Sequence, residues 1–159
     1  MKVIAKDVYG NDHEVDSSDM IWRVHVYGIV IDDGKILLSP QHGDGYDLPG
    51  GKVEMEELME DGLVREVKEE TGIDVRVKKL LGAKDIFFKV TFREPQEVWH
   101  SVMFYYMCEK IGGSISDSGF DEHEKSYAKD AIWMGVQDLS AIHIASSVDF
   151  REFARKAMS

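Results

Sequence analysis

The stretch over residues 51–73, GKVEMEELMEDGLVREVKEETGI, constrains this chain more than any other. Pro49, Gly50 and Gly51 interrupt regular structure just before it. Acidic residues then crowd its start, where a helix dipole favours negative charge. Gly72 stands where a helix would end, because glycine enters the left-handed C′ position without strain. A helix over residues 57–71, opened by a glycine loop, is therefore expected. Leu63, Val67 and Met59 recur on it at spacing four, as a buried face requires. Glu66, Glu69 and Glu70 fall three and four apart on a neighbouring surface. Like charges so placed repel unless a cation sits among them, and hard divalent ions such as Mg2+ take oxygen ligands of this kind. Taken alone, the same helix reads equally well as a solvated acidic face. Gly62 in mid-helix costs roughly 1 kcal/mol relative to Ala, which close packing of helix on sheet would explain.

Composition narrows the function. The formal net charge of -11 argues against nonspecific binding to DNA, RNA or an anionic membrane, which needs clustered Lys and Arg. It also sets a problem for a phosphate-bearing substrate, and bound metal ions are the natural answer. The 159 residues suit one domain, expected over 1–159, with a sizeable core. The single cysteine, Cys108, lies in an apolar run and reads as a buried reduced thiol, consistent with a cytoplasmic compartment. The first ten residues do not read as a signal peptide, and no apolar run is long enough to span a membrane.

Strand signals surround the helix. Residues 2–9 and 13–15, turning at Gly10, Asn11 and Asp12, read as an N-terminal edge hairpin within about residues 1–16, with a homodimer contact as the alternative use. Residues 22–31 and 35–39 flank Asp32, Asp33 and Gly34 as a second hairpin. Arg23 and His25 share a face of its first strand by the period of two, and His25 reads as a core or rim histidine. Residues 73–81 and 85–92 read as strands, and 98–109 as a long return strand ending at Gly112 and Gly113. Phe87, Phe88, Trp99, Phe104, Tyr105 and Tyr106 on them offer one or two stacking surfaces, the others being core. Residues 129–134 read as a short strand and 136–139 as a helical turn. Residues 147–158 read as a helix capped by Ser146 or Ser147, with Phe150, Phe153, Ala154 and Ala157 on its apolar face. No histidine pair has H-x3-H spacing, Cys108 has no CxxC partner, and neither a G-x-S-x-G elbow nor a Walker A sequence is present.

Residues 51–73 match G-x5-E-x7-R-E-U-x-E-E-x-G-U, with U a bulky aliphatic, at every required position. In this the chain resembles the Nudix hydrolases, whose signature is that box; the resemblance is strict over the box and looser over residues 22–133. It implies an α/β fold, an α/β/α sandwich with a mixed sheet and a loop-helix-loop catalytic motif. It implies divalent-metal-dependent hydrolysis, with Mg2+ or Mn2+, of a phosphoanhydride in a nucleoside diphosphate linked to another moiety. Carried over by position, Glu69 and Glu70 bind metal, and Glu66 is either a ligand or the base that activates water. Arg65 holds a glutamate in place. Glu57 fixes the loop or ligates a second ion, and a carbonyl of Gly50 or Gly51 joins the ligands. Glu124, ahead of Glu122, is the further acid the family often places after the sheet. Arg23, Tyr46 and Phe88 are the candidate substrate contacts.

Two departures stand out. Leu37 and Leu38 are followed by Ser39, Pro40, Gln41 and His42, where relatives carry basic residues, and Glu56 replaces a frequent Gly. The Pro typical of ADP-ribose subfamilies beyond the box is replaced here by Phe87, Phe88 and Lys89. The Tyr of diadenosine polyphosphate enzymes and the SQPWPFPxS string of NADH enzymes are absent. These features favour a nucleoside triphosphate pyrophosphatase, followed by an ADP-ribose or nucleotide-sugar hydrolase. A noncatalytic nucleotide-sensing domain is the reading from outside the enzymes.

Overall fold

Asp33 and Gly34 set up the central hairpin. Both have positive φ, 48° and 71°, the two-residue turn whose twist matches that of paired strands. They join β3 (Met20–Asp32) to β4 (Lys35–Pro40), with Asp32 opposite Lys35. The structure is a computed structural model describing residues 1–41, 44–115 and 130–159. Its other strands are β1 (Lys2–Lys6), β2 (Asp12–Asp16), β5 (Tyr46–Asp47), β6 (Gly50–Lys52), β7 (Ile73–Lys89), β8 (Val98–Gly113) and β9 (Ile132–Gly135). The helices are α1 (Met59–Thr71) and α2 (Arg151–Met158). Strand order is β2-β1-β7-β8-β3-β4-β5, with β6 on β3 and β9 on β4. The sheet is mixed, because β3 and β8 run parallel while β7 and β8 run antiparallel.

Alternation along the strands builds two cores, one on each face. Val26, Val30, Leu37, Tyr106 and Cys108 meet Leu63 and Val67 of α1. Ile29, Ile36, Leu38, Met103 and Tyr105 meet Phe153 and Ala154 of α2 and its N-cap Phe150. The α/β/α layering expected from the resemblance is therefore present, and Cys108 is buried and free as expected. The close contact of α1 with the sheet falls at Gly28, where an added Cβ would lie 3.4 Å from Val67 and 3.5 Å from Leu63. Gly62 has a different reason from the one expected: a Cβ there would meet the Glu57 carboxylate at 2.8 Å, so its bareness makes room for that side chain.

Several boundaries differ from the sequence reading. The helix begins at Met59, two residues after Glu57, and closes on Gly72 at φ 78° as expected. The segments expected at 73–81 and 85–92 form one strand, β7. Its register with β8 shifts at Asp74/Val75, Val77/Lys79 and Leu80/Gly82, and each bulge inverts the alternation. The C-terminal helix begins at Arg151, and its N-cap Phe150 makes no side-chain capping bond. The Ser146 hydroxyl instead accepts from the Val148 amide at 3.4 Å, in the turn before it. The apolar face of α2 is as expected: Phe150, Phe153 and Ala154 are buried, and Ala157 packs beside them. The N-terminal hairpin forms the sheet edge, with β2 outermost. No helix among the described residues is long and apolar enough to cross a membrane.

Candidate active site

Gly50 and Gly51 bring the box to the sheet. They pair with Tyr27 and Val26 of β3, and a Cβ on Gly50 would collide with the Val26 carbonyl oxygen at 2.1 Å. A Cβ on Gly51 would lie 2.6 Å from the Glu66 carboxyl group. Both glycines are thus needed for close approach, one to β3 and one to a helix carboxylate.

Arg65 is the hub of one end of the site. A guanidinium has five N–H donors, and each finds an acceptor. Nε and Nη2 donate to Glu57 at 3.0 and 2.5 Å, and Nη2 also donates to the Lys52 carbonyl at 3.2 Å. Nη1 donates to Glu66 at 2.7 Å and to Glu69 at 3.1 Å. Glu57 also accepts from the Glu54 amide at 2.9 Å. The Arg65 hydrogen bonds, with that amide, hold the Glu57 carboxyl down at about 2. Glu57 is thereby tied both to the helix and to the loop backbone at Glu54.

The other end is short of positive charge. Glu70 accepts from the Gly50 amide and the Ser39 hydroxyl, both at 3.2 Å. Burial raises its pKa well above the usual carboxylate range, and the negative charges of Glu66 and Asp47 add to the rise. Burial raises Glu66 as well, against the pull of Arg65. Asp47 accepts from its neighbouring Leu48 amide at 2.7 Å, and burial pushes it up to about 7. Tyr27 stacks on Tyr105 at 5.5 Å. Burial raises its phenol, and the charges of Asp47, Glu70 and Glu66 reach it too.

The surplus of carboxylate charge fits a bound divalent cation. Ionised carboxylates gathered under burial are costly without a counter-charge, and they are the ligands Mg2+ or Mn2+ takes. Among the described residues no three His, Cys, Asp or Glu side chains already converge on one point as ligands; Arg65 holds Glu57, Glu66 and Glu69 instead. Glu69 is the exposed member of the set, its side chain 49% accessible. Glu122 and Glu124 lie outside the described residues.

The substrate candidates separate. Arg23 and His25 lie on the α2 face of β3, beyond the part α2 covers, with Trp99 and Phe88 on the same face. Arg23 donates to Glu97 at 3.3 Å and sits 5.7 Å from the Trp99 ring centre. Phe88 lies 5.9 Å from Trp99. Phe87 is on the opposite face, edge-on to His100 at 4.8 Å, while Trp22 stacks on His100 at 4.0 Å. Phe104 packs in the α1 core, and Tyr105 and Tyr106 are buried in opposite cores. Tyr46 pairs with Pro40 at the β5 edge, and its half-buried ring packs on the α2 core. Sequence reasoning missed Asp47, Ser39 and Tyr27. Asp47 sits opposite Ser39 in the β4–β5 register, a neighbourhood visible only once the sheet is assembled.

The NUDIX domain profile matches residues 22–155, and the chain belongs to the Nudix hydrolase family. Nudix hydrolases as a family depend on divalent metal ions. Over 108 residues the chain is 36% identical to an ADP-ribose pyrophosphatase of Methanocaldococcus jannaschii, covering 65% of this chain and 60% of that one. Over 87 residues it is 40% identical to a putative 8-oxo-dGTP diphosphatase of Bacillus subtilis, covering 53% and 55%. A MutT-like protein of Streptomyces ambofaciens is 29% identical over 144 residues, 89% of this chain and 87% of that one. The chain thus spans little more than half the length of the first two relatives. Among solved structures, an ADP-ribose pyrophosphatase from Streptococcus suis shares the fold, with TM-score 0.62 at 18% identity over 86% of this chain and 89% of that one.

Proposed function

We infer that this protein hydrolyses a phosphoanhydride bond in a nucleoside diphosphate linked to another moiety, in a divalent-metal-dependent reaction. Nucleoside triphosphates are its first substrate class. The observation that carries the reading is the division of labour around Arg65: one glutamate neutralised, and Glu66 and Glu70 gathered beside Gly50 and Gly51 with negative charge to spare. Glu66, Glu69 and Glu70 would hold Mg2+ or Mn2+, which when bound screens the phosphoryl oxygens and lowers the pKa of a water molecule.

The chain's own groups supply the rest. Arg65 orients Glu66 and Glu69 and so fixes where their oxygens point. The Gly50 amide and the Ser39 hydroxyl orient Glu70. The water oxygen bonds to phosphorus, the bridging P–O bond breaks toward the leaving phosphate, and the water proton passes to a carboxylate. Glu66, in its alternative role to that of a ligand, would accept that proton. No covalent enzyme intermediate is required.

A second reading, hydrolysis of ADP-ribose or a nucleotide sugar, is favoured by the 36% identity to the ADP-ribose pyrophosphatase. A panel of nucleotides and nucleotide conjugates, incubated with Mg2+ or Mn2+ and with products identified, tests both. Nucleoside monophosphate plus pyrophosphate from a triphosphate supports the first; AMP plus ribose phosphate from ADP-ribose supports the second. No metal-dependent hydrolysis of any member would leave the noncatalytic sensing domain as the better reading.

A further inference from the structure

Beyond the box, the uncovered part of the α2 face carries one polar couple that the catalytic machinery does not use. Ser101 of β8 is 4% exposed, and its hydroxyl lies 2.8 Å from Nδ1 of His25. The imidazole stands 5.7 Å from Trp99 and 6.5 Å from Tyr27, ring centre to ring centre. It therefore sits on the same strand face between the Trp99 cleft and the phenol that feels the site carboxylates. Among the described residues no group hydrogen-bonds its Nε2. Burial, helped by the charges of Arg23 and Lys52, pushes the ring down to about 4. At neutral pH the ring is uncharged and suits an uncharged polar group rather than a phosphate.

We propose that His25, backed by Ser101, is the specificity-determining residue that reads the polar edge of the substrate's nucleobase and accepts either an amino or a keto group there. Which ring nitrogen carries the proton is set by the bond the other makes. A carboxylate behind the ring would fix the proton on Nδ1 and leave Nε2 an acceptor only. A serine hydroxyl both donates and accepts. When Ser101 donates to Nδ1, Nε2–H donates to a base carbonyl; when Nδ1–H donates to Ser101, Nε2 accepts from a base amino group. The couple thus serves both edges without any movement of heavy atoms.

Trp99 is poorly placed to select by itself. Its Nε1 donates to Glu97 at 2.6 Å, and the Arg23 and Arg93 guanidiniums lie 5.7 and 5.4 Å from its ring. Its polar atom is committed, which leaves the hydrogen-bond reading to His25.

This inference rests on the nucleotide substrate proposed above, and the test separates the two. Adenosine, inosine and purine-riboside 5′-phosphate substrates are compared in the phosphate form the panel selects; the last has neither an amino nor a keto group at position 6. The parent is expected to hydrolyse the first two with kcat/KM within about threefold of each other and about tenfold above the third, the worth of one neutral hydrogen bond. His25→Phe is expected to bring all three to the purine-riboside level, mainly through KM. His25→Gln, whose amide can also donate or accept, is expected to restore the preference. A His25→Phe variant that slows all three substrates equally, or leaves their ratios as in the parent, would overturn the proposal, as would a parent indifferent to position 6. If His25→Phe fails to fold, the His25→Gln ratios decide: a preference kept supports the proposal, and a lost one overturns it. Failure to hydrolyse any nucleotide would instead refute the proposed function.

Discussion

Glu57 and Glu70 come from one short motif and end in opposite electrostatic states. Glu57 receives two guanidinium bonds and a backbone amide, and its carboxyl falls to about 2. Glu70 receives one amide and one hydroxyl, faces Asp47 and Glu66, and its pKa rises. Arg65 provides the contrast by spending all its donors on Glu57, Glu66, Glu69 and the Lys52 carbonyl. Identical residue types therefore divide into a structural clamp at one end and an under-neutralised carboxylate at the other. The under-neutralised end is where a cation gains most.

The largest expected effect breaks the Glu70 end. Glu70→Gln and Glu66→Gln should each lower turnover on the best panel substrate by at least about a hundredfold, while circular dichroism shows a folded protein. Equal turnover in folded variants would remove the catalytic assignment. Next comes the clamp. Arg65→Ala leaves Glu57, Glu66 and Glu69 without their shared partner, so turnover falls, and chemical denaturation should show a loss of about 1–3 kcal/mol. A variant that loses rate with no loss of stability would show that the clamp does not support the fold.

The pH dependence of stability, measured by melting in chelator, sharpens the comparison because the two ends have opposite signs. Glu57 has a depressed folded pKa, so its contribution is present above the ordinary glutamate value of 4.5 and is lost as pH falls toward about 2. Glu70, Glu66 and Asp47 have raised folded pKa values, so the folded state binds more protons than the unfolded state. Their protonation stabilises the metal-free protein at mildly acidic pH, and that benefit is lost as pH rises, for Asp47 through about 7. Glu70→Gln should flatten this second slope and leave the acid limb unchanged. The smallest effect is expected at Glu54, whose pair with Lys52 at 3.2 Å is exposed on both sides: Glu54→Gln should change stability by less than about 0.5 kcal/mol and leave turnover at the parental level.

Much of this was legible in the chain because spacing translates directly into helix geometry. The faces carrying Leu63 and Val67 on one side and Glu66 and Glu70 on the other, and the stop at Gly72, follow from a period of 3.6. The long β7 strand did not follow, because its bulges break the period of two on which strand reading depends. The space beside Gly62 is taken by Glu57, a contact between loop and helix that no periodicity encodes. Asp47 and Ser39 were overlooked because only the assembled β4–β5 register brings them behind Glu70. Of the six strand aromatics, sequence could not say which belonged to which face. Burial in the two cores removes Tyr105 and Tyr106 and leaves Phe88 and Trp99 beside Arg23.

The central claim is that the Glu70 end takes up a divalent cation, and calorimetric titration of Mn2+ into the metal-free protein tests it most directly. Binding must displace protons from carboxylates of raised pKa. Saturable binding to the parent is expected, tightening from pH 6 to pH 8 with net proton release and weakening sharply in Glu70→Gln. Binding of equal strength in Glu70→Gln, or no binding to the parent under conditions where it hydrolyses its substrate, would contradict that claim.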